Sequence, residues 1–212
     1  MKVNAFWPRI DSESTADVSS KGVTVVPDTG DAYIVKGFGS YGDLTHNYAF
    51  RQPFTKGIDL YAATVEWNPG SLEVLSATGW SSTRTGYVWD FTPFYGSGFP
   101  EWSDDAIAPG LAAQHWNIEV EKFTEEMHIA SPAGTRIGWL LGAFYNHERA
   151  TDESPVYAYD KSYQPIEYFA PALAMTTVRD TFSELAAFGE LTWHATDAID
   201  LTGGIRYAHN DQ

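Results

Sequence analysis

From Ile118 to Glu148, apolar and polar side chains alternate in two runs on either side of Ser131-Pro132-Ala133-Gly134. In the first run Phe123, Met127 and Ile129 alternate with Lys122, Glu126 and His128. In the second, Ile137, Trp139, Leu141, Ala143 and Tyr145 fall on one side. A period of two places successive side chains on opposite faces of an extended strand. Pro and Gly between two such runs mark a turn. The pattern predicts a β-hairpin with arms of about twelve residues, where an ordinary strand has roughly five or six. A tilted strand that crosses a bilayer needs roughly nine to eleven.

The same pattern recurs on both sides. Ile58–Trp67 and Leu72–Ser82 flank Asn68-Pro69-Gly70-Ser71, and Phe182–Ala195 and Ile199–His209 flank Thr196-Asp197-Ala198. The expected strands are about 57–68, 71–82, 118–130, 136–148, 182–196 and 199–209, within a unit spanning 57–212. Residues 1–56 are poorly defined. They hold short strand-like runs at Val23–Val26 and Tyr33–Phe38, and a glycine-rich stretch, Lys36–Gly42, that reads as a flexible loop or bulged strand. That stretch lacks the Lys-Ser ending and following helix of a phosphate loop. Two long segments, Thr83–Asn117 and Arg149–Thr181, read as irregular and join the hairpins at the end away from their tight turns. Loops longer than about fifteen residues are unusual in compact soluble domains. Short turns on one rim and long loops on the other are the plan of an outer-membrane barrel. The fold class expected is therefore all-β: a segment of an antiparallel up-and-down transmembrane β-barrel.

The strand faces carry this further. One face collects Tyr61, Ala63, Val65 and Trp67, then Leu72, Val74 and Trp80 on the return strand. Trp139, Leu141 and Tyr145 follow, then Leu185, Leu191 and Trp193, then Leu201, Ile205 and Tyr207. The other face carries Glu66, Glu73, Glu184, Glu190, His194, Asp200 and Arg206. On the apolar face Trp67, Trp139 and Trp193 lie near the short turns; Tyr61, Trp80, Tyr145 and Tyr207 lie near the long loops. Two aromatic belts around an aliphatic band form the girdles of a transmembrane barrel. A half-buried soluble sheet also alternates, but it gives no reason for sorting by height. Glu125 is the misfit, a carboxyl on the apolar face that calls for either a bulge or a place at the band's edge.

Composition sharpens the picture. Charged residues make up 19% and aromatics 15%, with 8 Trp and 12 Tyr. Trp and Tyr, apolar in body and polar at the tip, gather at interfaces. The net charge of −15 argues against a nucleic-acid partner, which needs basic clusters. With Cys 0, disulfides, thiolate metal sites and thiol chemistry are excluded. No apolar run is long enough for a transmembrane helix, which says nothing against a barrel. Met1–Pro8 lacks the apolar core of a signal peptide. An outer-membrane protein must be exported, so the N-terminus of the full protein is expected to lie outside this sequence.

Candidate chemistry is sparse. His46, His115, His128, His147, His194 and His209 show no metal-ligand spacing. Glu125 and Glu126 point to opposite faces as strand neighbours, and Asp104-Asp105 and Asp152-Glu153 read as solvated loop pairs. Gly96-Ser97-Gly98 has no elbow context. No catalytic residue, metal site or cofactor is expected, and no enzyme. Thr83–Asn117 does concentrate aromatics, among them Trp89, Phe91, Tyr95 and Trp102. These either stack on a ligand ring or pack the loop against itself.

Phe123-Thr124-Glu125-Glu126-Met127-His128-Ile129-Ala130-Ser131 resembles the F-x-Q-E-x-R-L-x-S strand of TonB-dependent outer-membrane receptors. Gly138–Tyr145 is similar to their W-x-x-G-x-F-Y strand; Ala187–Trp193 and Leu201–Tyr207 are similar to their A-x-F-G-x-x-x-Y and L-x-x-G-x-R-Y pair. The order and spacing match across Phe123–Tyr207. Glu125 stands where the motif has Gln, and His128 where it has Arg. The resemblance implies an internal piece of a twenty-two-stranded barrel in the cell outer membrane, in contact with its lipid. It also implies energy-coupled uptake of a scarce small-molecule solute, most often an iron–siderophore, with cobalamin or an oligosaccharide as other cargoes. The TonB system would act on the intact parent, since no plug domain or TonB-contacting box is found here. The reading from a different class is an exported soluble β-sandwich that binds carbohydrate through aromatic loops.

Overall fold

The computed structural model describes residues 1–14, 48–196 and 198–212. Val23–Val26, Tyr33–Phe38, Lys36–Gly42, His46 and Asp197 lie outside the described residues. The strands are β1 (Lys2–Phe6), β2 (Arg9–Ser12), β3 (Phe54–Trp67), β4 (Glu73–Asp90), β5 (Leu111–Ala130), β6 (Ile137–Tyr159), β7 (Ala174–Thr196) and β8 (Ile199–Asp211). They form one antiparallel sheet in the order β1-β3-β4-β5-β6-β7-β8, with β2 also on β3. This is the up-and-down meander that the alternation predicts, open at both edges among the described residues. No helix among them is long and apolar enough to cross a membrane.

β1 and β2 were not anticipated in residues 1–56. Lys2 stands opposite Thr64 and Arg9 opposite Gly57, so both strands keep one register on β3. They are two pieces of a single ribbon interrupted at Trp7-Pro8. Pro8 has no N–H to give the ladder, but its carbonyl still accepts from the Ile58 amide at 3.1 Å.

The irregular reading of Thr83–Asn117 and Arg149–Thr181 is corrected. β4 continues to Asp90, β5 starts at Leu111, β6 runs to Tyr159 and β7 starts at Ala174. The long connections are 91–110 and 160–173. Asp152 and Glu153 accordingly lie within β6 rather than in a loop. The tight turns are 68–72 and 131–136, where Gly70 and Gly134 take φ of +67° and +82°, backbone that glycine adopts without a Cβ penalty.

Register defines two faces. Directly opposed residues share a face, and one outer row reads Trp67, Val74, Ile129, Leu141, Gly189, Ile205. A second outer row nearer the loops reads Tyr61, Trp80, Phe123, His147, Ser183, Asp211. The aromatic belts slope across these rows. Trp139 sits two residues nearer the short turns than Leu141, and Trp193 four residues nearer than Gly189. On the loop side the belt starts at Trp7, opposite the neighbourhood of Asp59, passes through Tyr61, Trp80 and Phe123, and drops to Tyr145 and Tyr207. From Trp7 to Tyr207 the belt drifts six residues over six strand spacings. At about 3.4 Å per residue and about 4.8 Å between strands, that is a slope of ~35°. The Trp67-to-Trp193 belt, four residues over four spacings, has the same slope. Two level belts therefore require strands tilted by ~35°, the inclination of transmembrane barrel strands.

The inner face is polar at the same height. Arg206 pairs with Glu184 at 2.5 Å and lies 5.3 Å from the Phe144 ring centre. Lys122 pairs with Glu148 at 3.5 Å, and His194 with Asp200 at 2.7 Å. Above the loop-side belt the faces exchange character. The outer face carries Asp59, Arg84 and Glu119 in a chain of ion pairs that also takes in Arg9. The inner face turns to Ile58, Val120, Ile118, Tyr87 and Trp116. The buried apolar cluster lies there, at the loop end: Phe99, Ala112, Val156 and Ala158, with Phe91, Tyr95, Phe169 and Leu173 against it.

Candidate functional site

At the loop-end inner wall, local structure gathers aromatic rings and buried polar groups. β4 ends at Asp90, whose carboxylate accepts from the Thr92 amide at 3.0 Å and from the Ala49 amide at 2.5 Å. The first bond starts the turn of π-helix at Thr92–Gly96, entered through Pro93. The second ties residues 48–53 to the same corner. Tyr163, in the β6–β7 connection, donates its hydroxyl to the Ala49 carbonyl at 2.9 Å. Phe50 lies against Tyr159 and Tyr163, with ring centres 5.2 and 5.5 Å away. One carboxylate and one phenol thus lock three chain segments together.

Behind this corner comes the short helix α1 (Phe99–Trp102). Ser103 anchors it, donating to the Phe99 carbonyl at 2.7 Å and accepting from the Ile107 amide at 2.9 Å. Phe99 is fully buried, 5.1 Å from the Phe169 ring, so both long connections fold over the inner wall and meet there. Two glycines make the fit possible. A Cβ on Gly96 would sit 2.4 Å from the Gly110 carbonyl, and one on Gly110 would sit 2.4 Å from the Tyr159 carbonyl and 2.8 Å from the Phe99 ring.

The four loop aromatics singled out from sequence come together as a chain. Trp89 and Phe91 stack at 6.2 Å, Phe91 and Tyr95 at 5.8 Å, and Tyr95 meets Trp102 edge-on at 5.8 Å. Tyr87 extends the run, stacking on Trp116 at 5.4 Å with the planes 10° apart. Trp89 and Trp102 keep 43% and 45% of their surface exposed, while Phe91 and Tyr95 pack on the buried cluster. One half of the chain is cement and the other half a free aromatic surface.

Sequence reasoning missed the buried polar groups at this end of the sheet. Gln52 Nε2, Gln114 Oε1 and Trp116 Nε1 are buried without a hydrogen-bond partner among the described residues. Gln114 is opposed to Trp89 and, one row on, Trp116 to Tyr87. Continuing the strand alternation back from Ile118 would have placed Gln114 and Trp116 on the inner wall. Nothing in the sequence signals Gln52. Aromatic faces with a few convergent amide and indole groups are the make-up of a small-molecule site.

Elsewhere the expected chemistry is dispersed. Glu125 and Glu126 do face opposite ways: Glu125 accepts from Ser76 and Thr78, and Glu126 lies 3.6 Å from His128. His147 is hydrogen-bonded to Ser183 at 2.9 Å, and His115 packs edge-on to Tyr157. Among the described residues no cluster of three His, Cys, Asp or Glu has the arrangement of a metal site. Tyr61, Trp67, Trp80, Trp139, Tyr145, Trp193 and Tyr207, the residues expected to form the belts, share one face of the sheet.

Comparison with curated proteins finds the pesticin receptor of Yersinia enterocolitica serotype O:8, 32% identical over 98 residues. The pesticin receptor of Yersinia pestis matches to the same degree. Each match covers 46% of this chain and 12% of the receptor. The chain thus shares sequence with a small part of these receptors, in agreement with the TonB-dependent receptor resemblance carried by its strand motifs. No family model matches the chain, and no solved structure matches it.

Proposed function

We propose that this chain forms wall strands and two extracellular loops of a TonB-dependent receptor in the outer membrane, and that the receptor takes up a ferric siderophore. The observation that carries the membrane reading is the pair of parallel sloping belts on one face, with a polar inner face at the same height. Lipid bathes the outer face, the short turns lie in the periplasm, and the loops 91–110 and 160–173 face the medium. The exposed rings of Trp89 and Trp102, with Phe91 and Tyr95 behind them, offer stacking surfaces to an aromatic chelator. The buried amides of Gln52 and Gln114 and the Trp116 indole, without a partner among the described residues, add polar contacts. The TonB system drives the cycle in the intact receptor. The chain supplies recognition and wall, with no catalytic role.

The soluble carbohydrate-binding sandwich fits less well. A sandwich covers one face of each sheet with another, and the described residues form a single sheet. The test is reconstitution into phosphatidylcholine vesicles, flotation, and titration with a ferric catecholate chelate while tryptophan fluorescence is recorded. Flotation with saturable quenching that weakens in Trp89→Ala and Trp102→Ala is the expected result. Flotation without quenching removes the siderophore assignment. A chain that stays soluble and monodisperse without lipid removes the barrel.

A further inference from the structure

Glu125 lies on the outer face, in the row formed by Ala63, Thr78, Tyr145, Leu185 and His209. On β5 the loop-side belt passes through Phe123, and Glu125 is the next outer position inside it. No bulge excuses it: the register through Thr78 on one side and Tyr145 on the other is unbroken. The carboxylate is instead held by two hydroxyls of β4. Ser76 Oγ donates to Oε1 at 2.7 Å, and Thr78 Oγ1 donates to Oε2. Each carboxylate oxygen keeps a further lone pair, since an ionised carboxylate accepts about four bonds.

The surroundings are specific. Trp80 and Phe123 stand directly loopward of Thr78 and Glu125, and Phe123 meets Tyr145 with ring centres 6.2 Å apart. On the opposite side, toward the short turns, a shallow groove of about 280 Å³ runs between Val74, Met127, Ile129, Leu141 and Ala143. Acceptor groups under an aromatic shelf, above an apolar trough, match a molecule with hydroxyl donors at the top and a hydrocarbon chain below.

Building on the membrane reading, we propose that this is a binding site for a saccharide-headed lipid. Sugar hydroxyls donate to Glu125, the ring lies against Trp80 and Phe123, and one acyl chain fills the groove. The chemistry selects against phosphocholine and anionic lipids. A phosphocholine head has no hydrogen-bond donor, and an anionic head is repelled by the carboxylate. A carboxylate facing bare hydrocarbon is unfavourable, so a donor-bearing occupant gives Ser76, Thr78 and Glu125 a common purpose.

The test uses the chain reconstituted in phosphatidylcholine vesicles doped with a diacyl glucosyl lipid or with phosphatidylethanolamine. Flotation is scored first, then lipids retained after gentle extraction are counted by native mass spectrometry. The expected result is retention of the glucosyl lipid about tenfold above phosphatidylcholine, the factor one hydrogen bond to a charged group supports. Glu125→Leu, which keeps the outer face apolar, should bring that ratio to one while flotation persists. Glu121→Gln, a carboxylate removed above the belt, should leave the ratio unchanged. A chain that floats without preferring the glucosyl lipid overturns the site and leaves the barrel intact. Equal retention of phosphatidylethanolamine also overturns it, as does a Glu125-dependent dimer that excludes lipid. Failure to float removes both readings.

Discussion

At the scale of single residues, the most constrained positions are where backbones touch. Gly110 has the Tyr159 carbonyl and the Phe99 ring against the place its Cβ would occupy. Gly110→Ala therefore has no flexible neighbour to push aside. The expected cost is about 1–3 kcal/mol, the usual range for overpacking. It should appear as faster proteolysis within 91–110 and a rise in Phe99-region exposure, with flotation in vesicles retained. Asp90 is a different case, since two backbone amides depend on its carboxylate. Asp90→Ala leaves both donors without it, at a cost of about 1–3 kcal/mol. Hydrogen exchange should then rise together at Ala49 and Thr92. Exchange that rises at one amide alone would break the claim that this carboxylate couples the two segments.

At the scale of elements, the alternation was legible wherever one face stayed apolar. Ile58–Trp67, the Ile118–Glu148 hairpin and Phe182–His209 all kept their phase, and their strands and tight turns follow the pattern. It ceased to be legible where the faces exchange character. Past Ser82 the outer face becomes Arg84 and Gly86 while Tyr87 and Trp89 move inward; past Glu148 an internal Pro155 and mixed polarity hide a strand that runs to Tyr159. Residues 2–12 were missed because Pro8 splits a short ribbon whose partner lies some fifty residues away. The gathering of Trp89, Phe91, Tyr95 and Trp102 could be suspected from composition, but the inward fold of their loop depends on glycine contacts that no local pattern encodes. The face assignment has a direct check. Leu141→Arg puts a cation in the outer apolar band and should destabilise the inserted state by about 2–4 kcal/mol. Leu140→Arg points inward, opposite Glu190, and should be nearly neutral. The comparison is made by urea titration in vesicles, and equal effects would mean that the faces are reversed or that neither meets lipid.

At the scale of the whole molecule, the belts make a geometric claim that no single strand makes. Trp67 and Trp193 differ by four residues in register, ~14 Å of strand at about 3.4 Å per residue. If the strands stood upright in the bilayer, the two indoles would lie at depths ~14 Å apart. If the strands tilt by ~35°, the drift across four spacings cancels that difference and brings Trp67, Trp139 and Trp193 to one depth. Trp7 and Trp80, on the other belt, then share a second level. Single-tryptophan variants quenched by lipids brominated at graded positions along the chain measure this directly. The expected outcome is one quenching profile for the first three and a common profile for the last two. A steady shift in depth from Trp67 through Trp139 to Trp193 would sink the tilted arrangement, because indoles can stay at one interface along a drifting register only if the strands lean.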